Sequence, residues 1–256
     1  MFSVLPLIKE IPRLKRQLSQ KRTSCLLFNL DEIKKIQVGL PGFLDQLRSI
    51  SRPPVIYTGI ISRNSQTILL PELPNTIIIA GSNGFEIDGP CFSWKFPQLG
   101  MIYHQLEHFQ NILALEIGPG WAKTNVCLNG VELTITIQTG DEYRQEALMS
   151  IIRRELSDTH LQAERLPEMI RIYPAKQWDK RLFISKIVSL LPHSEGFGPI
   201  MFYFGADFSD EAAFREVNLH GYSVLLRENI GRKTGAQYYL RNNQELNRLL
   251  IWFNSL

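Results

Sequence analysis

Short, almost wholly apolar runs recur along the chain, and they constrain its fold more than any other feature. The clearest lie at residues 25–28, 76–80 and 200–204. A strand that is apolar on both faces needs cover on both, as in a parallel sheet. Helical patterns such as residues 42–50 separate successive runs, and this order implies right-handed crossovers. We therefore predict an α/β fold with a Rossmann-like parallel sheet and helices on its faces.

The middle of the chain has a different pattern. Residues 131–137 alternate apolar and polar side chains, which is typical of a half-exposed antiparallel strand. Asn129-Gly130, just before them, is a strong hairpin signal. Residues 141–156 follow as an amphipathic helix that begins with acids. The short run at 114–117 is interpreted as a further strand.

These patterns predict an α+β unit inserted into a parallel core. The parallel pattern is expected to return at "MIRIYPA", which begins at residue 169. We interpret residues 91–171 as an inserted cap, and residues 23–90 with 172–256 as the core.

Residues 1–22 form a basic N-terminal segment with six basic residues against one acid. Four apolar residues in it can share one helical face. One interpretation is a solvated helix packed on the core. The other is a docking segment for a protein partner or an anionic surface.

Composition excludes several classes of function. A net charge of +3 is too small to argue for nucleic acid. No stretch approaches 18 consecutive apolar residues, so no transmembrane segment is expected. The start lacks the pattern of a secretion signal. The three cysteines are widely spaced and show no metal-binding spacing, which is typical of reduced thiols, so a cytoplasmic location is expected.

Three stretches carry a resemblance to a known family. "AGSNGFEIDGP" is similar to a glycine-rich A-G-x-H-G-x-E-I-x-G-P motif, "WDKR" to a W-D-K-G lysine motif, and "GADFSDEAAF" to G-D-D-x-T-D-E-D-A-F. Together they resemble the trehalose-6-phosphate phosphatase-like branch of the haloacid-dehalogenase (HAD)-like phosphatases. The resemblance implies a Rossmann-like HAD core with an inserted α+β cap.

The first catalytic position departs from that family. Its D-x-D-G-T motif is similar to Asn29-Leu30-Asp31-Glu32-Ile33. The resemblance implies that residue 29 should be the aspartate that attacks phosphorus, and that Asp31 is the general acid/base. A carboxamide has no charged oxygen with which to attack. On local grounds alone, Asn29 could simply cap a turn.

The metal-binding positions depart in the same direction. The family holds Mg²⁺ with its nucleophile and with the first acid of G-D-D, and Mg²⁺ demands hard oxygen ligands. Here Ala206 replaces that acid, and Asp207 remains as a residual ligand. We expect Lys180 and Asp207 to form an ion pair under the cleft, and Ser209-Asp210-Glu211 to begin a helix.

The resemblance also implies phosphate- and substrate-binding residues. Ser62 offers its hydroxyl to a phosphate, and Arg63 replaces a glycine of the family. In the run that contacts the sugar in the family's cap, only Glu116 is recognisable. These positions are Ser62, Arg63, Lys180, Gly84, Glu86 and Glu116.

Two functions follow. The chain is expected to be a pseudophosphatase that binds a sugar phosphate or a protein partner, with no cofactor. The alternative is an active phosphatase with a rearranged site that hydrolyses trehalose 6-phosphate and needs Mg²⁺. Removing a covalent nucleophile costs on the order of 10⁴–10⁶ in turnover, which favours the first.

Overall fold

The computed structural model describes residues 5–18, 23–36, 40–65, 76–116, 125–137, 142–157, 159–175, 178–194, 197–226 and 233–256. The strands are β1 (Leu5–Pro6), β2 (Ser24–Asn29), β3 (Ile56–Ile61), β4 (Ile78–Gly81), β5 (Glu86–Gly89), β6 (Phe92–Lys95), β7 (Asn125–Asn129), β8 (Glu132–Thr136), β9 (Leu161–Leu166), β10 (Met169–Pro174), β11 (Ile200–Gly205), β12 (Gly221–Leu225) and β13 (Tyr238–Tyr239). The helices are α1 (Ile11–Leu18), α2 (Leu30–Ile36), α3 (Leu40–Ile50), α4 (Leu99–Glu116), α5 (Glu142–Leu156), α6 (Lys180–Leu190), α7 (Glu211–Val217) and α8 (Asn243–Asn254).

Among these residues, nine strands form one sheet in the order β1-β13-β12-β11-β2-β3-β4-β5-β6. All neighbours pair parallel except β4 with β5 and β5 with β6. The predicted α/β class is therefore confirmed. β6 belongs to this sheet, although the predicted boundary at residue 91 assigned it to the insert.

Both faces of the central strands are covered, which explains their apolar composition. In β2, Leu26 belongs to a core cluster with α3 and α8, whereas Leu27 belongs to a cluster with α6 and α7. All six residues of β2 are buried. The ring of Phe28 in β2 stacks on the ring of Phe204 in β11, and the two ring centroids are 4.3 Å apart. This packing fixes the strand whose end carries Asn29.

A second sheet of four strands has the order β7-β8-β10-β9 and is antiparallel throughout. Its apolar side packs on α4 and α5 in a cluster of its own. The hairpin predicted at 129–130 joins β7 to β8, and Gly130 has a φ of 58°.

Two sequence-based predictions in this region are wrong. β10, predicted to resume the parallel sheet, pairs antiparallel with β8 and β9. Its buried residues alternate with half-buried ones, which is the period of a sheet covered on one face. Residues 114–116 do not form a strand, because they complete the last turn of α4. The sequence also predicts a short helix near residues 64–70, and most of these residues lie outside the described ranges.

The N-terminal segment packs on the main sheet. β1 pairs with β13, and Leu7 and Leu14 are fully buried in the cluster that also contains Phe253. The apolar face of α1 is thus used within the fold. In the described part of the chain, no helix combines the length and hydropathy needed to cross a membrane.

The described cysteines are all free. Cys25 is buried in β2, and burial raises the pKa of its thiol far above the ordinary value. Cys91 is exposed and Cys127 is half-buried, so a buried environment holds for only one of the three.

Candidate functional site

The candidate residues meet where three neighbouring parallel strands end. β11, β2 and β3 lie side by side, and their carboxyl ends carry Ala206, Asn29 and Ser62. Ligands of open α/β sheets bind at this edge. The strand order therefore brings together positions that are more than 170 residues apart in the chain.

Asp210 is the centre of this cluster and is fully buried. Its Oδ1 lies 2.6 Å from Nζ of Lys180 and accepts a 2.8 Å hydrogen bond from the hydroxyl of Tyr203. Its Oδ2 accepts hydrogen bonds from the backbone N–H groups of Ala206 (2.8 Å) and Asp207 (3.0 Å). The predicted pair of Lys180 with Asp207 is wrong, because the lysine reaches the deeper acid.

Asn29 completes the shell around this carboxylate. Its Nδ2 donates to Oδ1 and Oδ2 of Asp210 at 3.0 and 3.1 Å, and its own Oδ1 accepts from the backbone N–H of Asp31 at 3.2 Å. The side chain is 3% exposed. Asn29 thus makes the local turn bond and also donates hydrogen bonds to the carboxylate that Lys180 neutralises. A carboxylate here would place an acceptor where Asp210 now receives hydrogen bonds from the amide nitrogen.

Asp31 lies nearer to the surface and faces the end of β3. Oδ1 accepts from the hydroxyl of Ser62 at 3.1 Å, and Oδ2 accepts from the backbone N–H of Arg63 at 3.0 Å. Nε of Arg63 is 3.5 Å from the same oxygen, and that side chain is 57% exposed. The donors that a phosphate would use at this strand end are therefore occupied by an internal carboxylate.

Asp207 and Glu116 have roles apart from this cluster. Asp207 caps the 3₁₀ turn Phe208–Asp210 and accepts from the backbone N–H of Ser209 at 2.5 Å. Glu116 is the exposed last residue of α4. Within the described ranges, no group of three or more histidine, cysteine, aspartate or glutamate side chains is placed to hold a metal ion.

The glycine-rich turn after β4 forms a second polar group. Glu86 accepts hydrogen bonds from the hydroxyls of Ser82 and Tyr103, both at 3.1 Å. Burial raises the pKa of Tyr103 to about 12, so its hydroxyl stays protonated. Gly84 has a φ of 89°, and a Cβ there would lie 2.6 Å from the ring of Phe183. Gly84 is therefore required for packing.

The tip of the β7–β8 hairpin reaches this edge of the main sheet. A Cβ at Gly130 would collide with the carbonyl oxygen of Arg63 and lie 3.0 Å from Oγ of Ser82. The second sheet therefore rests directly on the loops that carry the candidate phosphate donors.

Sequence reasoning missed Asp210 and Tyr203. Asp210 was assigned only to a helix start, and Tyr203 lay within an apolar strand. The signal for Asp210 was its place five residues after Gly205 in "GADFSD", where a tight turn brings it back to the strand end. Tyr203 offered no such signal, because its partner becomes visible only in three dimensions.

Stability at low pH should depend on Asp210. Burial raises the pKa of its carboxyl, but Lys180 and the hydrogen bonds outweigh burial and hold this pKa below the ordinary value. Because the pKa of Asp210 is lower in the folded state, its ionised carboxylate stabilises the fold at pH values above the unfolded-state pKa of about 3.9. This stabilisation is lost as the pH falls through the folded-state pKa. Urea unfolding between pH 5 and pH 2 should show a shallower pH slope for Asp210→Asn. The exposed Asp45→Asn is the control, and equal slopes for both variants would contradict the assignment.

The fold is the one shared by the HAD-like phosphatases. A trehalose-6-phosphate phosphatase from Aspergillus fumigatus superposes with a TM-score of 0.62 at 15% identity, over 99% of this chain and 100% of that one. The C-terminal domain of a Candida albicans trehalose synthase regulatory protein gives 0.59 at 11% identity, over 94% and 97%.

Sequence comparison adds a curated relative at low identity. Trehalose-phosphate phosphatase B of Arabidopsis thaliana is 25% identical over 211 residues, which are 77% of this chain and 55% of that protein. The chain thus spans about half of that relative's length. No family model matches. These relatives and neighbours support the resemblance of the chain to the trehalose-phosphatase-like branch of the HAD-like phosphatases.

Proposed function

We propose that this chain is a trehalose-phosphatase-like protein that binds a sugar phosphate without hydrolysing it. The observation that carries the proposal is the hydrogen bonding of Asn29. Its amide nitrogen donates to Asp210, whose carboxylate is already paired with Lys180. This cluster satisfies its own charges and contains no group able to attack phosphorus.

The donor set does not suit Mg²⁺. This ion needs oxygen ligands in near-octahedral geometry, usually with at least one carboxylate free to bind. Asn29 directs a nitrogen donor into the cluster, Ala206 offers a methyl group, and Asp210 is taken by Lys180. We therefore propose that the protein works without this metal.

The phosphate of the ligand would bind at the end of β3. Ser62 and the backbone N–H of Arg63 are the donors, and the exposed guanidinium of Arg63 supplies the charge. Lys180 is a poor candidate for direct contact, because its charge is balanced by Asp210 at 2.6 Å. Asp31 competes with the phosphate for these donors, so binding requires that its carboxylate turn aside.

We place the binding surface at this cleft, although the N-terminal segment was the other candidate. The apolar face of α1 is buried against the main sheet through Leu7 and Leu14. The face of α1 that remains exposed is basic, and its contact with solvent is sufficient to explain its charged residues.

The active-phosphatase alternative rests on Asp31. This carboxylate is held beside Ser62, where a general acid would stand. A general acid assists the departure of a leaving group only when a nucleophile attacks phosphorus, and Asn29 cannot act as that nucleophile.

Replacing Asp31 with asparagine separates the two functions. Removing the carboxylate frees Ser62 and Arg63, so affinity for inorganic phosphate and for trehalose 6-phosphate should rise about tenfold, or ~1.4 kcal/mol. Isothermal titration calorimetry in metal-free buffer measures this. In an active phosphatase the same substitution would abolish phosphate release.

Two controls sharpen this test. Asp45→Asn removes an exposed carboxylate on α3 and should leave both affinities unchanged. Arg63→Ala should weaken phosphate binding. Unchanged or weaker binding in Asp31→Asn would contradict the placement of the phosphate at the end of β3.

A further inference from the structure

A second cavity lies at the opposite edge of the main sheet. It has a volume of about 700 Å³, and its floor includes Ile200 and Gly221, the first residues of β11 and β12. The candidate cleft lies at the other end of the same strands. Six residues at about 3.3 Å each separate the two edges by roughly 20 Å. This volume lies within the range of small-molecule sites, about 300–1,000 Å³.

One wall of this cavity comes from the N-terminal helix. Gln17 lines the cavity, and its Oε1 is buried. Within the described ranges, this oxygen has no hydrogen-bond partner. A buried acceptor without a partner has lost the hydrogen bond that it makes with water in the unfolded chain, so a donor supplied by a ligand would recover that free energy.

The opposite wall is held in place by hydrogen bonds. Glu211 accepts from the hydroxyl of Thr234 at 2.8 Å and from the backbone N–H of Gly235 at 2.7 Å. Asn218 donates to the carbonyl of Gly235 at 2.9 Å. A wall fixed in this way would lose little conformational freedom when a ligand binds.

The charges around the cavity are balanced. Arg13 lies 3.8 Å from Glu10, and the ring of His220 lies 3.7 Å from Glu216. The guanidinium of Arg13 in the lining thus has an opposite partner nearby, which disfavours an anionic ligand. The rest of the lining combines amides and a hydroxyl with the rings of Tyr222 and Tyr238 and with the aliphatic side chains of Leu5, Ile200 and Ala236.

We propose that this cavity binds a small, neutral, hydroxyl-rich molecule of the polyol or sugar class. Such a molecule supplies hydroxyl donors for Gln17, and its C–H faces suit the tyrosine rings. The site depends on α1, so the ligand would also fasten the N-terminal segment to the sheet. This inference is independent of the proposed function at the other edge.

Titration of the full chain with trehalose, glucose and myo-inositol tests the proposal by calorimetry. At least one should bind, and Gln17→Leu should weaken it tenfold or more. Gln46→Leu is the matched control, since Oε1 of Gln46 is also buried and unpartnered but lies on α3, away from the cavity. Gln17→Met repeats the test if the leucine variant does not fold.

Ser62→Ala distinguishes the two sites. Neutral-sugar binding at the second cavity should survive this substitution, whereas phosphate binding at the cleft should weaken. The proposal is overturned if none of the three sugars binds at tens of millimolar, if the Gln17 and Gln46 variants behave alike, or if sugar binding is lost with Ser62.

Discussion

Replacing Asp210 with alanine should lower the free energy of unfolding by about 3–5 kcal/mol, the cost of leaving one partner of a buried ion pair alone. Lys180 is 7% exposed and would keep a charge with no counterion. Tyr203, Asn29 and two backbone N–H groups would lose their shared acceptor as well. Urea unfolding followed by circular dichroism measures the loss.

A double-mutant cycle identifies the cause. The double variant Lys180→Met with Asp210→Ala should lower the free energy of unfolding by less than the sum of the two single variants, because neither charge is then left unpaired. The exposed pair of Arg48 and Asp45, 3.0 Å apart, is the control and should contribute at most about 1 kcal/mol. A loss below about 1 kcal/mol for Asp210→Ala would refute its central place in the cluster.

Restoring two carboxylates should make the protein respond to Mg²⁺. In Asn29→Asp with Ala206→Asp, three acids crowd the strand ends, and without metal their repulsion destabilises the fold. With Mg²⁺ at 100 times its Kd, the stabilisation should reach about 2.7 kcal/mol. Thermal unfolding with and without Mg²⁺ measures the difference, and the wild type should not respond.

The single variants separate charge from metal binding. Asn29→Asp alone sets a carboxylate against Asp210 and should be less stable than the wild type in metal-free buffer. Ala206→Asp alone should lose less stability than Asn29→Asp alone, because Asn29 still donates to Asp210. A double variant that ignores Mg²⁺ would show that the carboxylates at residues 29 and 206 are insufficient to make a metal site.

The sequence predicted the main sheet well because its signal is local. A strand covered on both faces must be apolar along its length, and β2 and β11 are. It misplaced β10, whose buried residues alternate with half-buried ones as in a strand covered on one face. Alternation of one strand does not say which sheet it joins; that depends on contacts with β8 and β9.

The candidate site was predicted only at its strand ends. Asn29, Asp31 and Ser62 followed from motifs, and the structure brings them to one edge. The partner of Lys180 was misassigned because two acids, Asp207 and Asp210, lie three residues apart and the sequence does not say which points inward. The 3₁₀ turn decides this: it leaves Asp207 as a cap and buries Asp210.

Phosphate release from trehalose 6-phosphate is the most direct test of whether Asn29 has ended catalysis. The wild type and the Asn29→Asp, Ala206→Asp variant are assayed together, each with Mg²⁺ and with a chelator. The wild type should release no phosphate above background under either condition. Magnesium-dependent turnover by the wild type at about one per second or faster, as in ordinary enzymes, would contradict the proposal that the protein binds a sugar phosphate without hydrolysing it.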